Sequence, residues 1–173
     1  FRISLSKGRT IIRVGDELEH AKSYLTIQKV RYKNKFTVTF DTDPEVLELS
    51  TVKLIIQPLL ENAIYHGMEF MDGDGEITVR SQIRDGQLYI AVQDNGDGMP
   101  PDLCAKLLDP NAQVKQGKSG SRGSGLGMRN VHERIRLAFG AEYGLSIRSK
   151  LGWGTVVEAH LPCIPYDEEN GGT

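Results

Sequence analysis

The stretch ITVRSQIRDGQLYIAVQDNGDGM, residues 77–99, decides how the rest of the chain is read. Ile77, Val79, Ser81 and Ile83 alternate with Thr78, Arg80 and Gln82, the period-two pattern of a half-buried strand. Asp85-Gly86 is a hairpin signal, and Leu88 to Gln93 alternates again as the partner strand. That strand ends in Asp94-Asn95-Gly96-Asp97-Gly98-Met99. A carboxylate at a strand end, followed by two glycines one residue apart, lets a small ligand press against bare backbone. Asp94 can accept a hydrogen bond from a polar ligand group, while Gly96 and Gly98 leave room for a flat ring. Taken alone, the stretch reads more readily as a surface turn, because Asn-Gly and Asp-Gly are common turn formers. Its neighbours decide the matter.

On the N-terminal side, Val52, Ile55, Ile56, Leu59, Leu60, Ala63 and Ile64 form one broad apolar stripe. This predicts a long helix with Ser50 or Thr51 as N-cap and Gly67 at its end. Pro58 costs that helix a hydrogen bond, so it should kink it or mark its first turn. Further back, Phe36, Val38 and Phe40 read as a strand ended by Asp41-Thr42-Asp43-Pro44. From Asp16 to about Tyr32 a helix is expected, on Leu18, Ala21, Leu25 and Tyr32. Phe1 to Val14 is mixed, with Ile3, Leu5, Ile11 and Ile12 as packing candidates.

On the C-terminal side, Pro100 to Leu108 reads as a short helix. Asp109 to Ser124 is polar, rich in glycine and lysine, and without periodicity; a loop of this length is more often a functional lid than idle linker. Met128, Val131, Ile135, Ala138 and Phe139 make an amphipathic helix closed by Gly140. Leu145 to Ser149 and Thr155 to Leu161 form a second hairpin across Gly152-Trp153-Gly154, stopped by Pro162. Paired strands with intervening helices predict an α/β domain with an antiparallel or mixed sheet and helices on one face.

The 173 residues are enough for one domain that buries roughly 70% of the surface its unfolded chain exposes. A formal charge of −2 gives no reason to expect nucleic acid or an anionic membrane as partner. Cys104 and Cys163 lack metal-ligand spacing and are too few for a disulfide framework, so both are expected as free thiols in a reducing compartment. No apolar run approaches the ~20 residues of a membrane span, and no signal peptide is visible. Phe1 is not a natural start, so a longer parent protein is expected.

Two further segments bear on the Asp94 stretch. Glu61, Asn62 and His66 are polar residues at the edge of the helical stripe. At about 100° per residue Asn62 and His66 share a face, and an amide oxygen there suits Mg²⁺, which keeps several waters and takes substrate phosphates as further ligands. Ordinary boundary residues are the competing reading. In Gly123-Ser124-Gly125-Leu126-Gly127-Met128 a glycine run opens into a helix, the arrangement of a phosphate cradle. Its spacing is neither the dinucleotide fingerprint nor a Walker A loop, and alone it reads as a flexible loop.

In combination these segments resemble a known family. Gln57-Pro-Leu-Leu-Glu61-Asn62-Ala-Ile-Tyr65-His66-Gly67, then Asp94-x-Gly96-x-Gly98, then Gly123-x-Gly125-Leu126-Gly127, are similar to the N box and two glycine boxes of the GHKL ATPases. That superfamily includes gyrase, Hsp90, histidine kinases and MutL. The wording Pro-Leu-Leu-Glu-Asn-Ala-Ile-x-His-Gly, with Gly-Leu-Gly-Met-Arg-Asn-Val-His-Glu-Arg-Ile and Gly154-Thr155, looks like sensor histidine kinases of the LytS/YesM type. Glu17-Leu18 and Tyr24-Leu25-x-Ile27-Gln28-x-x-Arg31-Tyr32 resemble the segment joining such kinases' phosphoacceptor region to their ATP-binding domain. The resemblance covers roughly residues 15 to 162.

The resemblance implies the Bergerat fold, a two-layer α/β sandwich whose mixed, mostly antiparallel sheet is covered on one face by helices. It implies ATP and Mg²⁺ as cofactors. Asn62 would bind Mg²⁺ bridging the phosphates, with His66 nearby. Asp94 would accept the adenine amino group, with Gly96, Gly98 and Met99 around the ring and Thr155 close by. Gly123, Gly125, Leu126 and Gly127 would close a lid over the phosphates, and Glu61 is a candidate polarising group. Residues 1–34 would be linker and helix from the phosphoacceptor region, 35–162 the catalytic domain, and 163–173 a disordered tail. The implied partners are the phosphoacceptor and dimerisation helices of the same parent and a cognate response regulator. The implied location is a cytoplasmic domain of a membrane-anchored protein.

The chain departs from the pattern at two places. Tyr65 stands where many histidine kinases carry lysine, leaving Lys115, Lys118, Arg122 or Arg129 to supply that charge. Pro58 stands four residues before Asn62, where many relatives have an acid or amide, so no water-activating glutamate is obvious. That favours transfer to a protein histidine over a free-standing ATPase. Other GHKL ATPases, an anti-sigma-type serine kinase and a non-enzymatic nucleotide-binding module remain as alternatives. His132-Glu133-Arg134 has the look of a phosphoacceptor His-Glu pair but falls inside the last helix, where a solvated or ion-paired helix face is expected.

Overall fold

A computed structural model describes residues 10–33, 35–68, 71–109, 111 and 126–168. Strand β1 (Ile11–Arg13) leads into helix α1 (Val14–Tyr32), then β2 (Phe36–Thr42), a 3₁₀ turn (Pro44–Val46), β3 (Ser50–Val52) and helix α2 (Ile56–Asn62). The helix continues as a π-helical turn (Ala63–Met68), followed by β4 (Gly75–Arg84), β5 (Gln87–Asp94) and α3 (Pro101–Lys106). Helix α4 (Leu126–Phe139) and the hairpin β6 (Gly144–Lys150) and β7 (Gly154–Pro162) complete the described elements.

The main sheet has the order β2-β4-β5-β7-β6. Only β2 and β4 run parallel, so α2 is carried across the sheet between them, and the other three pairings are antiparallel. The expected α/β sandwich is therefore present. Side chains alternate as the sequence pattern requires: Ile77 and Val79 of β4, Leu88, Ile90 and Val92 of β5, and Val157, Ala159 and Leu161 of β7 are buried. They meet Ile56, Leu59, Leu60 and Ile64 from the α2 helix and its π turn, and Met128, Val131 and Ile135 from α4.

Helix α1 belongs to this same core. Val14, Leu18, Ala21 and Leu25 are buried in one cluster with α2, so the boundary expected at residue 34 does not separate two cores. The tail expected to be disordered from residue 163 is held over residues 163–168. Ser50 N–H donates to Ile164 O at 2.7 Å, Tyr166 N–H to Glu48 O at 2.8 Å, and Arg13 pairs with Glu168 at 2.8 Å. Residues 169–173 lie outside the described residues.

Two local expectations are corrected. Ser50 and Thr51 do not cap α2; they belong to β3, which pairs antiparallel with β1, and the helix starts at Ile56 with Pro58 in its first turn. Pro58 thus sits where its missing N–H costs little. The cap comes from another element: the buried Glu17 carboxylate of α1 accepts the backbone N–H groups of Leu54, Ile55 and Ile56. His132, expected on a solvated face, is part-buried, and its Nδ1 accepts the Leu145 N–H at 2.9 Å, fastening α4 to β6. Burial and the Arg136 guanidinium hold its imidazole below the ordinary value, which suits a neutral acceptor. Glu133 does pair with Arg136, at 3.7 Å, as expected of that face.

Candidate functional site

Asp94 follows Leu88, Ile90 and Val92 at the next inward position of β5, so strand periodicity carries its carboxylate under the helical layer. It is 6% exposed. Burial pushes its carboxyl up to about 6, against the opposing pull of the Gly96 and Thr155 backbone N–H groups and of His66. Gly96 N–H donates to its Oδ1 at 2.9 Å. An ionised carboxylate has about four lone-pair sites, so two N–H donors leave it acceptor capacity for a further polar group.

The glycines around Asp94 are there because nothing larger fits. A Cβ on Gly96 would lie 2.4 Å from Gly67 Cα, and a Cβ on Gly67 would lie 2.8 Å from Asp94 Oδ1. The π turn and the loop after β5 are thus in backbone contact, which joins two segments far apart in sequence. Gly98 has φ +76°, and a Cβ there would come within 2.1 Å of Lys150 O. Gly154, with φ +124°, passes so close to β5 that a Cβ would meet Asp94 O at 2.0 Å. Any side chain at these positions would push the site's walls apart.

The loop after Asp94 is stapled on both sides. Asn95 Oδ1 accepts Glu76 N–H at 2.7 Å and its Nδ2 donates to Asp74 O at 3.0 Å. Met99 N–H donates to Ser149 Oγ at 2.7 Å, and that hydroxyl lies 2.8 Å from Thr155 Oγ1. Thr155 sits directly opposite Asp94 in the β5–β7 register and is buried beside it. Asp94, Gly96, Gly98, Met99 and Thr155 are therefore one assembly, and Gly67 and His66 close it from the helical side.

Asn62 ends α2, half-buried, where the helix widens into the π turn that carries His66 and Gly67. Such turns are rare and often found at functional sites. Glu61 is half-buried and accepts from Gln57 Nε2 at 3.2 Å. It faces Tyr24 of α1, whose phenol is pushed up by burial and by the Glu61 charge. Tyr65 is turned to α1, its ring 6.4 Å from that of Tyr32. Gly127 lies exposed in the first turn of α4, with open space where a Cβ would stand. Gly123, Gly125 and the side chain of Leu126, together with the glycine-rich stretch expected as a lid, lie outside the described residues.

Sequence reasoning missed Asn95, Ser149 and Glu17. Asn95 reads in the sequence as a turn former, yet its side chain holds the loop to β4 and the residue before it. Glu17 carried a signal: it occupies an apolar position of the α1 stripe, between Val14 and Leu18, where an acidic residue needs a partner.

Among the described residues no three His, Cys, Asp or Glu side chains cluster to hold a metal ion. A cation held mainly by phosphate oxygens and water needs only one or two protein ligands, and the amide of Asn62 beside Glu61 is a donor set of that kind. No helix among the described residues is long and apolar enough to cross a membrane.

Residues 48–165 match the family described as histidine kinase-, DNA gyrase B-, and HSP90-like ATPase, and residues 1–36 match the histidine kinase family. The chain is similar to the sensor histidine kinase YesM of Bacillus subtilis (strain 168), with 33% identity over 162 residues covering 94% of this chain and 26% of that protein. It is similar also to the sensor protein LytS of the same organism, with 28% identity over 163 residues covering 94% and 26%. The chain spans about a quarter of the length of these curated relatives. Its fold is that of the catalytic domain of histidine kinase ThkA, with TM-score 0.67 and 18% identity, covering 91% of this chain and 98% of that one. ThkA in complex with the response regulator TrrA is also similar, with TM-score 0.58 and 17% identity over 90% of this chain and 42% of that one. With its three boxes in order and its sheet and helices arranged as in those domains, the chain belongs to the histidine kinase-, DNA gyrase B- and HSP90-like ATPase family.

Proposed function

We propose that the chain is the ATP-binding catalytic domain of a sensor histidine kinase, which binds ATP with Mg²⁺ and passes the γ-phosphoryl group to a histidine outside residues 1–173. The observation that carries this reading is the buried Asp94 carboxylate, walled by Gly67, Gly96 and Gly98, whose spare acceptor capacity suits the adenine amino group. The flat ring would lie against bare backbone between the π turn and the Ser149–Thr155 pair. Asn62 would hold Mg²⁺, which supplies charge neutralisation along the phosphates. The backbone N–H groups at the start of α4, with Gly127, would take phosphate oxygens, and Gly123, Gly125 and Leu126 would cover them.

What these residues then contribute is positioning and electrostatics rather than covalent chemistry. Asp94 would fix one end of the nucleotide, Asn62 and α4 the other, and Glu61 would be the group to polarise an attacking acceptor. No acid or amide stands four residues before Asn62, so water is not activated there, which favours a protein acceptor over hydrolysis. The acceptor would be supplied by the parent's phosphoacceptor helices. The phosphoryl group would go on to a response regulator, the kind of partner with which ThkA has been solved. A membrane anchor elsewhere in the parent, with this domain in the cytoplasm, completes the reading.

Phosphotransfer in trans tests it. The chain, incubated with labelled Mg·ATP and the separately purified phosphoacceptor segment of its parent, is expected to label that segment and not itself, and Asn62→Ala is expected to abolish the transfer. Label on the chain alone would contradict the reading. Release of inorganic phosphate without labelled acceptor would favour a free-standing ATPase, and nucleotide binding without either would leave a non-enzymatic module.

A further inference from the structure

The turn that precedes α2 is gripped from two sides by groups of opposite charge. From α1, Glu17 Oε1 accepts Leu54 N–H at 3.0 Å, and Oε2 accepts Ile55 N–H at 2.8 Å and Ile56 N–H at 3.3 Å. From α4, Arg134 donates through Nη1 to Lys53 O and through Nη2 to Leu54 O, each at 2.5 Å. Leu54, at the centre of this grip, has φ +59°, a left-handed conformation that a leucine holds only when its surroundings impose it.

This is more than a helix cap. A capping serine or aspartate one residue before the helix would accept from the second or third helical N–H, whereas the groups bound here are those of Leu54, Ile55 and Ile56, the turn itself and the first helical residue. Glu17 instead reaches across 37 to 39 residues and is 1% exposed. A carboxylate buried to this degree is costly unless its bonds are made, so the position of α1 and that of the turn are locked to each other. Arg134 lies close enough that the Glu17 charge opposes the downward pull of burial on its guanidinium.

From Ile56 to Asn62 the helix spans roughly 9 Å, a short rod with the clamp at one end and the metal-binding candidate at the other. A tilt at the clamped end reaches Asn62 directly. Asp94 takes no part in the clamp, since it is held by its β4 and β7 neighbours.

We propose that Glu17 is a positioning residue for the phosphate-and-metal half of the site: with Arg134 it fixes the turn 53–56, and through α2 it sets where Asn62 stands. The inference rests on the nucleotide reading above and deepens it. Helix α1 lies within the stretch matched to the histidine kinase family, and α4 opens at the second glycine box. One turn therefore joins α1, the helix that carries Asn62, and α4. Displacement of α1 by the preceding segment would be felt at the phosphates before it was felt at the adenine.

Two ligands separate the two halves of the site: adenosine, which needs Asp94 but has no phosphates, and Mg²⁺ with a non-hydrolysable ATP analogue, which needs both halves. Glu17→Gln keeps the size but replaces one acceptor oxygen with a donor, and Arg134→Met removes the opposing donors. In each variant adenosine affinity is expected to stay within about twofold of wild type while affinity for the Mg²⁺-bound analogue falls about tenfold. The double variant should bind that analogue no more weakly than the weaker single variant, because one clamp is being broken twice. Equal losses for the two ligands, or no loss for either, would overturn the inference. If Glu17→Gln does not fold, the same comparison on Arg134→Met decides the outcome. Failure of the wild type to bind adenosine, or undiminished binding by Asp94→Ala, would instead overturn the nucleotide reading, so the two failures are distinguishable.

Discussion

At the scale of single residues, Asp94 concentrates both the cost and the use of the site. Burial lifts its carboxyl to about 6 from an ordinary 3.8, so between those pH values the folded chain holds this proton more tightly than the unfolded chain does. Stability from this group therefore falls as pH rises from about 4 to about 6, and a penalty of about 1–3 kcal/mol persists above that. Asp94→Asn removes the titration while leaving an amide oxygen for the Gly96 N–H. Its gain in unfolding free energy over wild type should be smallest near pH 4, grow to about pH 6 and then level off. Urea denaturation at each pH measures it, and a gain independent of pH would contradict the burial argument. A ligand amino group that donates to this carboxylate would offset the same penalty, the usual trade of stability for function. The inward position of Asp94 was legible in the strand alternation, but alone its stretch reads as a surface turn, and only beside the other two boxes does it stand out as a candidate site. The partners of Asn95, Ser149 and Glu17 were not legible, because they lie 19, 50 and 37 to 39 residues away.

At the scale of elements, periodicity located every helix and strand of the main layers, and its errors have physical causes. Val52 and Ile55 extended the apolar stripe of α2 backwards, but burial in β3 and in a turn produces the same apolar run as burial on a helix. The π turn left no periodic mark, because it changes hydrogen bonding from i+4 to i+5 without changing which residues are apolar. Gly127 tests how α4 serves the site. It lies in the helix with open space around it, so Gly127→Ala should stabilise the fold by up to about 1 kcal/mol. Yet if phosphate oxygens meet that backbone, the added methyl should weaken Mg·ATP binding by roughly tenfold. A melting curve and a nucleotide titration on the same sample check both, and an unchanged affinity would remove Gly127 from the phosphate cradle.

At the scale of the whole molecule, contacts between distant segments hold residues 163–168, expected from the sequence to lie in a disordered tail. The β1–β3 pair, the Arg13–Glu168 ion pair and the Ile164 and Tyr166 backbone bonds fasten both flanks of the described chain to β3, to Glu48 and to each other. Such a segment reads as a disordered tail because no local pattern records contacts made with residues far away in sequence. The same holds for α1, whose stripe announces a helix but not which core it joins. The central claim is that a nucleotide base is read by Asp94 beneath the π turn. Calorimetric titration of a Mg²⁺-bound ATP analogue into wild type and Asp94→Ala tests it most directly. The wild type should saturate at one site and Asp94→Ala should bind about 10- to 100-fold more weakly, the loss of a hydrogen bond to a charged group. Equal affinity for the two proteins would contradict the account.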